Sequence, residues 1–183
     1  MFSKVLSVTV ILVWLFLKSA SAGDDDDHTY ALEFTKVAEN CQGSENKDMG
    51  INMTLETNSE HATLSGSVTI GLELGDSVEL LIEVEKVLDN GKTDPMLTMA
   101  ANLCASMKDD DFPAKAIYEK MGLSSCPVAA DVYPVEDMML DMAFADDVMC
   151  HDYVGKYSAK LIVKSGIDEL GCFECLLEIT ETE

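Results

Sequence analysis

From Ala31 onward the apolar residues of this chain recur at every second position. Ile51, Met53 and Leu55 alternate with polar neighbours, as do Leu64, Val68, Ile70, Leu72 and Leu74, and then Val78, Leu80, Ile82 and Val84. The last third repeats the pattern in Met138, Leu140, Met142 and Phe144, in Tyr157, Ala159, Leu161 and Val163, and in Phe173, Cys175, Leu177 and Ile179. A period of two buries one face of a β-strand and leaves the other to water. Gly75-Asp76-Ser77, Asp89-Asn90-Gly91-Lys92 and the segment Ser165 to Leu170, which contains Gly166, supply the turns between strands. The pattern predicts a mainly β protein, an antiparallel sandwich with polar outer faces and a shared apolar interior.

The middle of the chain departs from that period. Pro95 to Met107 carries Met96, Met99, Ala100, Leu103 and Met107 at helical spacing. Phe112 to Met121 forms a second predicted helix, with Asp111 as its cap, Pro113 in its first turn and Gly122 at its end. A short helical insert therefore interrupts the sandwich.

The first 22 residues stand apart. Lys4 gives a positive start, Val8 to Leu17 is an apolar run, and Ser19-Ala20-Ser21-Ala22 offers a small-residue cleavage site before Gly23. The apolar core is shorter than the roughly 20 residues a bilayer span needs, so the segment reads as a secretory signal, with an extracellular destination and a lysosomal one as the alternative. Removing 22 residues from 183 leaves 161, the size of one domain. The expected organisation is a signal over 1–22, an acidic disordered stretch over 23–30 that contains the run Asp24 to Asp27, and a single domain over 31–183.

In that compartment six cysteines, Cys41, Cys104, Cys126, Cys150, Cys172 and Cys175, imply three disulfides. Cys172-Phe173-Glu174-Cys175 has the spacing of a redox or zinc half-site, but it lies inside an alternating strand and has no second such pair. An odd separation points Cys172 and Cys175 to opposite faces of that strand, so they should have different partners. Asn52-Met53-Thr54 is a sequon that marks Asn52 for N-glycosylation.

All twelve basic residues are lysines, two of them in the signal; ten lysines against thirty-four carboxylates give the mature chain a net charge of −24. Such a surface repels nucleic acid, which is excluded as a partner. Catalysis has little basis. His28 lies in the acidic tail and His61 in a polar turn, while Cys150-His151-Asp152 are neighbours in sequence and so point in different directions, whereas triads assemble from distant positions. Asp109-Asp110-Asp111 and Asp146-Asp147 are adjacent carboxylates of the kind that thirty-four acidic residues produce by chance. No enzyme, cofactor or metal is expected.

Ten methionines survive removal of the signal, most of them within Met96 to Met121 and Met138 to Met149. They fill cores, and their soft unbranched chains also suit a cavity that accepts flexible apolar ligands.

The order of several short segments resembles the ML family of secreted lipid-recognition domains, and within it the ganglioside-activator group. The segments are Glu39-Asn40-Cys41, Val68-Thr69-Ile70, Ile82 to Lys86, Asn102-Leu103-Cys104, Cys126-Pro127, Gly155-Lys156-Tyr157 and Leu170-Gly171-Cys172. The likeness runs from about Val37 to Ile179. It implies an immunoglobulin-like β-cup with an apolar cavity between its sheets, which lifts a lipid from a membrane and presents or carries it. It also implies the pairs Cys41 with Cys172 and Cys104 with Cys126, which leaves Cys150 for Cys175, expected to lie opposite about Lys160. This chain departs from the activators in having six cysteines where they have eight, and no tryptophan after the signal.

The resulting expectation is a secreted carrier of a lipid or other hydrophobic small molecule, with a glycosidase or a membrane surface as its further partner. Its cavity would be lined by Met96, Met99, Leu103, Met138, Leu140, Met142, Phe144, Leu161, Val163, Leu177 and Ile179. The rival expectation is a secreted acidic interaction or signalling module with a filled core. The two differ in whether the sandwich encloses a void.

Overall fold

The computed structural model describes residues 29–57, 62–110, 112, 114–140 and 151–182. In chain order these form β1 (Thr29–Asn40), β2 (Met49–Thr57), β3 (Ala62–Ile70), β4 (Val78–Val87) and β5 (Thr93–Asn102). Helices α1 (Leu103–Ser106) and α2 (Lys115–Lys120) follow, then β6 (Asp131–Leu140), a 3-10 turn (His151–Tyr153), β7 (Gly155–Ser165) and β8 (Asp168–Thr182). The strands make two antiparallel sheets, one ordered β1-β8-β7-β4-β5 and the other β2-β3-β6. This is the mainly β sandwich that the alternation predicts.

The alternation works as expected on the central strands. Val78, Leu80, Ile82 and Val84 of β4 are buried, and so are Tyr157, Ala159 and Val163 of β7 and Phe173, Leu177 and Ile179 of β8. Across the outer face, β7 sets Lys160 between Glu83 of β4 and Glu174 of β8, and Lys164 between Glu79 and Glu169. The Lys160 ammonium lies 3.1 Å from the Glu85 carboxylate, and Ser158 donates a 2.6 Å hydrogen bond to Glu174. Carboxylates on the two strands that flank β7 repel one another, and the lysines between them relieve that repulsion.

Three boundaries differ from the sequence reading. Pro95 to Met107 is not one helix. Its first part is β5, in which Leu97, Met99 and Ala101 are half-buried and Met96, Thr98 and Ala100 are exposed. Both periods fit these residues, and the free edge of β4 decides between them by offering a full set of backbone partners. Pro95 lacks an N–H and is tolerated because β5 is an edge strand, where a register shift falls beside it. Among the described residues of the insert, helix is left at Leu103–Ser106 and Lys115–Lys120; Gly122, with φ +71°, follows the second, while Asp111 and Pro113 lie outside the described residues.

The second difference is at the N-terminus. Strand β1 begins at Thr29 and not beyond Tyr30, because Thr182 and Glu181 of β8 extend far enough to pair with Thr29 and Tyr30. The signal over 1–22 and the run Asp24 to Asp27 lie outside the described residues. Third, β6 opens at Asp131, seven residues before Met138, although Pro134 hides the pattern; β6 too is an edge strand. Met142 and Phe144 lie outside the described residues.

Among the described residues two disulfides are formed, Cys41–Cys172 and Cys104–Cys126, the pairs that the resemblance implies. They indicate an oxidising compartment. No helix among the described residues is long and apolar enough to cross a membrane. The Gly166–Ile167 turn joins β7 to β8, with φ +61° at Gly166, where a two-residue hairpin calls for glycine. Gly66 has φ +151° at the shift between β3 and β6, and a Cβ there would collide with the Asn52 carbonyl oxygen.

Two stability outcomes follow from this framework. The Cys41–Cys172 bridge spans 131 residues and Cys104–Cys126 spans 22. The chain-entropy relation assigns them about 5 and about 3.4 kcal/mol. Replacing Cys41 and Cys172 by serine is expected to lower the Tm further than replacing Cys104 and Cys126, as read by calorimetry of the purified proteins. Gly66→Ala is expected to cost more than the roughly 1–3 kcal/mol of backbone strain alone, and Gly91→Ala, where nothing lies within 4 Å, to cost less, as read by urea unfolding.

Candidate functional site: an apolar cavity between the sheets

The two sheets do not close completely on one another. Between them lies a cavity of about 170 Å³. The small sheet contributes Met49, Ile51 and Met53 from β2, Leu64, Val68 and Ile70 from β3, and Val135 and Met138 from β6. The large sheet faces them with Leu80 and Ile82, with Ala159, Leu161 and Val163, and with Phe173 and Cys175. Among the described residues no charged side chain lines the space.

The helical insert forms one wall. Asn102 positions it: its side-chain carbonyl accepts the Ala105 N–H at 2.9 Å, capping α1, while its amide donates to the carbonyls of Asp76 and Val78 at the start of β4. Cys104–Cys126 fastens α1 to the segment that leads into β6. The Lys115 ammonium donates to the Met107 carbonyl at 2.8 Å, drawing the start of α2 onto the end of α1. Leu103, Phe112, Ile117, Tyr118 and Met121 are thereby presented to the cavity, and the rings of Phe112 and Tyr118 lie parallel, 6.3 Å apart.

The polar atoms of the wall are already occupied. Ser106 Oγ donates to the Leu103 carbonyl at 2.8 Å, so the 3.0 Å contact between Ser106 Oγ and the Tyr118 hydroxyl is donated by Tyr118. Burial pushes the Tyr118 phenol up to about 12. Among the described residues no buried side-chain nitrogen or oxygen lacks a partner.

Cys175 completes the opposite side. Its sulfur accepts the Ala38 N–H at 3.3 Å, where β1 bulges and Ala38 takes φ +50° in place of regular pairing with β8. Burial raises the Cys175 thiol, and the Ala38 hydrogen bond partly opposes that rise. Cys175 has no disulfide partner among the described residues; Cys150 lies outside them. Its cross-strand neighbour is Ala159, one residue from the expected Lys160. The hairpin turn is tighter than expected, and a bulge at Leu170 takes back part of the displacement. Cys172 faces the other side of β8 and bonds to Cys41, so the two cysteines do point apart.

Of the residues nominated from the sequence, Leu103, Met138, Leu161 and Val163 line the cavity. Met96 is on the outer side of β5 and 43% exposed. Met99 packs against the core beside the cavity, and Leu177 and Ile179 lie in a filled cluster with Leu32, Val84 and Tyr157 at the other end of the large sheet. Leu140 is the last residue of β6, and Met142 and Phe144 are outside the described residues. The sequence reading missed Met49, Phe112, Ile117, Tyr118 and the β1 bulge at Val37 and Ala38. Ile51, Met53, Leu64, Val68 and Ile70 carried a signal, since each belongs to a period-two run. Asn52 is exposed on the outer side of edge strand β2, where a glycan has room.

His151 lies away from the cavity, with Nδ1 2.9 Å from the Glu181 carboxylate. Among the described residues no cluster of histidine, cysteine, aspartate or glutamate could hold a metal.

No protein-family model matches the chain, and no curated protein matches it. Among solved structures, the solution structure of R. palustris CsgH is 16% identical, covering 71% of this chain and 91% of that one, with a TM-score of 0.25. A superposition that loose carries no argument about this protein.

Tyr118 gives a measurable handle on the cavity wall. A phenol raised from 10 to about 12 by the fold stabilises the folded state fully below pH 10, and that contribution is lost as the pH rises from about 10 to about 12. Ultraviolet titration of the folded protein is expected to show a late tyrosine ionisation near pH 12 that Tyr118→Phe removes.

Proposed function

We propose that the protein is a secreted carrier that holds a hydrophobic ligand between its two sheets. The observation that supports this most is the cavity itself. Protein interiors pack to crystal-like density with few voids. An unfilled space of about 170 Å³ costs about 4 kcal/mol at ~24 cal/mol per Å³ of void. Against a typical net stability of ~5–15 kcal/mol that is a large penalty, and an apolar ligand in the space would offset it. Every described wall residue is apolar except Tyr118 and Cys175, whose polar atoms are engaged within the protein. The void therefore favours the carrier over the interaction module with a filled core.

The ordered segments that resemble the ML family lend support from a second direction, as do the two bridges that the resemblance implies. In this reading the chain is a divergent member of that family. It takes its ligand from a membrane or another donor and delivers it, as nutrient, signal or substrate for a hydrolase. The signal-like first 22 residues, the disulfides and the exposed sequon at Asn52 agree with secretion. The strongly acidic surface keeps the carrier soluble and away from anionic membranes except during transfer.

Native mass spectrometry of protein purified from its own source, followed by organic extraction, tests the reading. An apolar molecule bound at one per chain is the expected result. A ligand-free protein that also fails to bind fluorescent fatty acids would overturn it.

A further inference from the structure

The cavity's size and its lack of free polar atoms narrow the ligand, provided the carrier reading holds. An engineered apolar cavity of about 150 Å³ takes one benzene. By that measure a cavity of about 170 Å³ takes roughly six or seven carbons. A sterol, or the paired chains of a glycolipid, is several times larger.

The chemistry of the wall is equally restrictive. The hydrogen of Ser106 goes to the Leu103 carbonyl and that of Tyr118 goes to Ser106, so neither hydroxyl has a donor left for a guest. The Cys175 sulfur already accepts from the Ala38 N–H. No lining side chain carries charge, and no buried side-chain nitrogen or oxygen is short of a partner among the described residues. A carbonyl or carboxylate brought into this space would lose water and find no free side-chain donor in return.

We infer that the cavity takes a single slender hydrocarbon segment of about six or seven carbons, inserted end first, with every polar atom of the ligand left outside. The ligand class is a short single-chain amphiphile, or the tip of one longer tail, and not a two-chain glycolipid. Met53, Met121 and Met138 suit this role, since unbranched thioethers adjust to tails of differing shape without a fixed imprint.

The test uses the mature secreted protein and straight-chain primary alcohols of four to twelve carbons, with binding measured by calorimetry. Each methylene that enters the cavity should tighten binding about fourfold, up to six or seven carbons, after which the affinity should level off. Met138→Ala removes three heavy atoms from the wall and should move the levelling point about three carbons further. Met53→Ala, at a half-buried position, should do likewise if the first variant fails to fold.

Affinity that keeps rising fourfold per carbon to twelve would overturn the size limit while leaving the carrier reading intact. The same division follows if alcohols fail to bind but vesicle-borne two-chain glycolipid is extracted. Failure of the alcohols, fatty acids and glycolipid alike would end both.

Discussion

The corner at which the chain leaves the large sheet for the small one governs the rest of the molecule. Strand β1 ends at Asn40, Cys41 bonds to Cys172 of β8, and the Cys41 N–H donates to the Cys172 carbonyl at 3.0 Å. Asn46, at φ +41°, then clasps the same residue from both sides: its amide donates to the Cys172 carbonyl and its side-chain carbonyl accepts the Cys172 N–H, each at 2.8 Å. Three residues later β2 begins. A covalent bond and paired hydrogen bonds thus fix where the second sheet starts relative to the first. The gap between the sheets is set there and not by side-chain packing alone, which explains how a void can persist where collapse would otherwise remove it.

Much of this was legible in the sequence because strand alternation is a local signal. Leu80, Ile82 and Val84, or Tyr157, Ala159 and Val163, declare their buried face within a few residues. What was not legible depended on partners far away in the chain. Met96, Met99, Ala100 and Leu103 satisfy a helical period as well as a strand period, and only the open edge of β4 resolves the choice. The same applies to the cavity. Ile179 and Leu161 look alike in sequence, yet one lies in a filled cluster and the other against the void, because insert and small sheet cover only part of the large sheet. Tyr118 and Phe112 gave no periodic signal, and their positions follow from a disulfide and a capping asparagine.

Charge is distributed by the same logic. The chain is strongly acidic, yet Lys156, Lys160 and Lys164 all fall on β7, the middle strand of the five. In register, each lysine stands opposite a glutamate on one or both neighbours, and Lys160 pairs with the Glu85 carboxylate. A few lysines placed centrally relieve more repulsion than the same number scattered at the edges.

The outer strands have a consequence of their own. A sandwich of two open sheets exposes four rows of backbone donors and acceptors, each a template on which another copy could add a strand and begin a fibre. Three of these borders are spoiled. Pro95 interrupts β5, Pro134 interrupts β6, where Asp137 also turns out of line with φ +45°, and β1 is broken by two register shifts around Ala38. Irregular margins of this kind oppose strand addition at the borders, alongside the mutual repulsion of so acidic a chain.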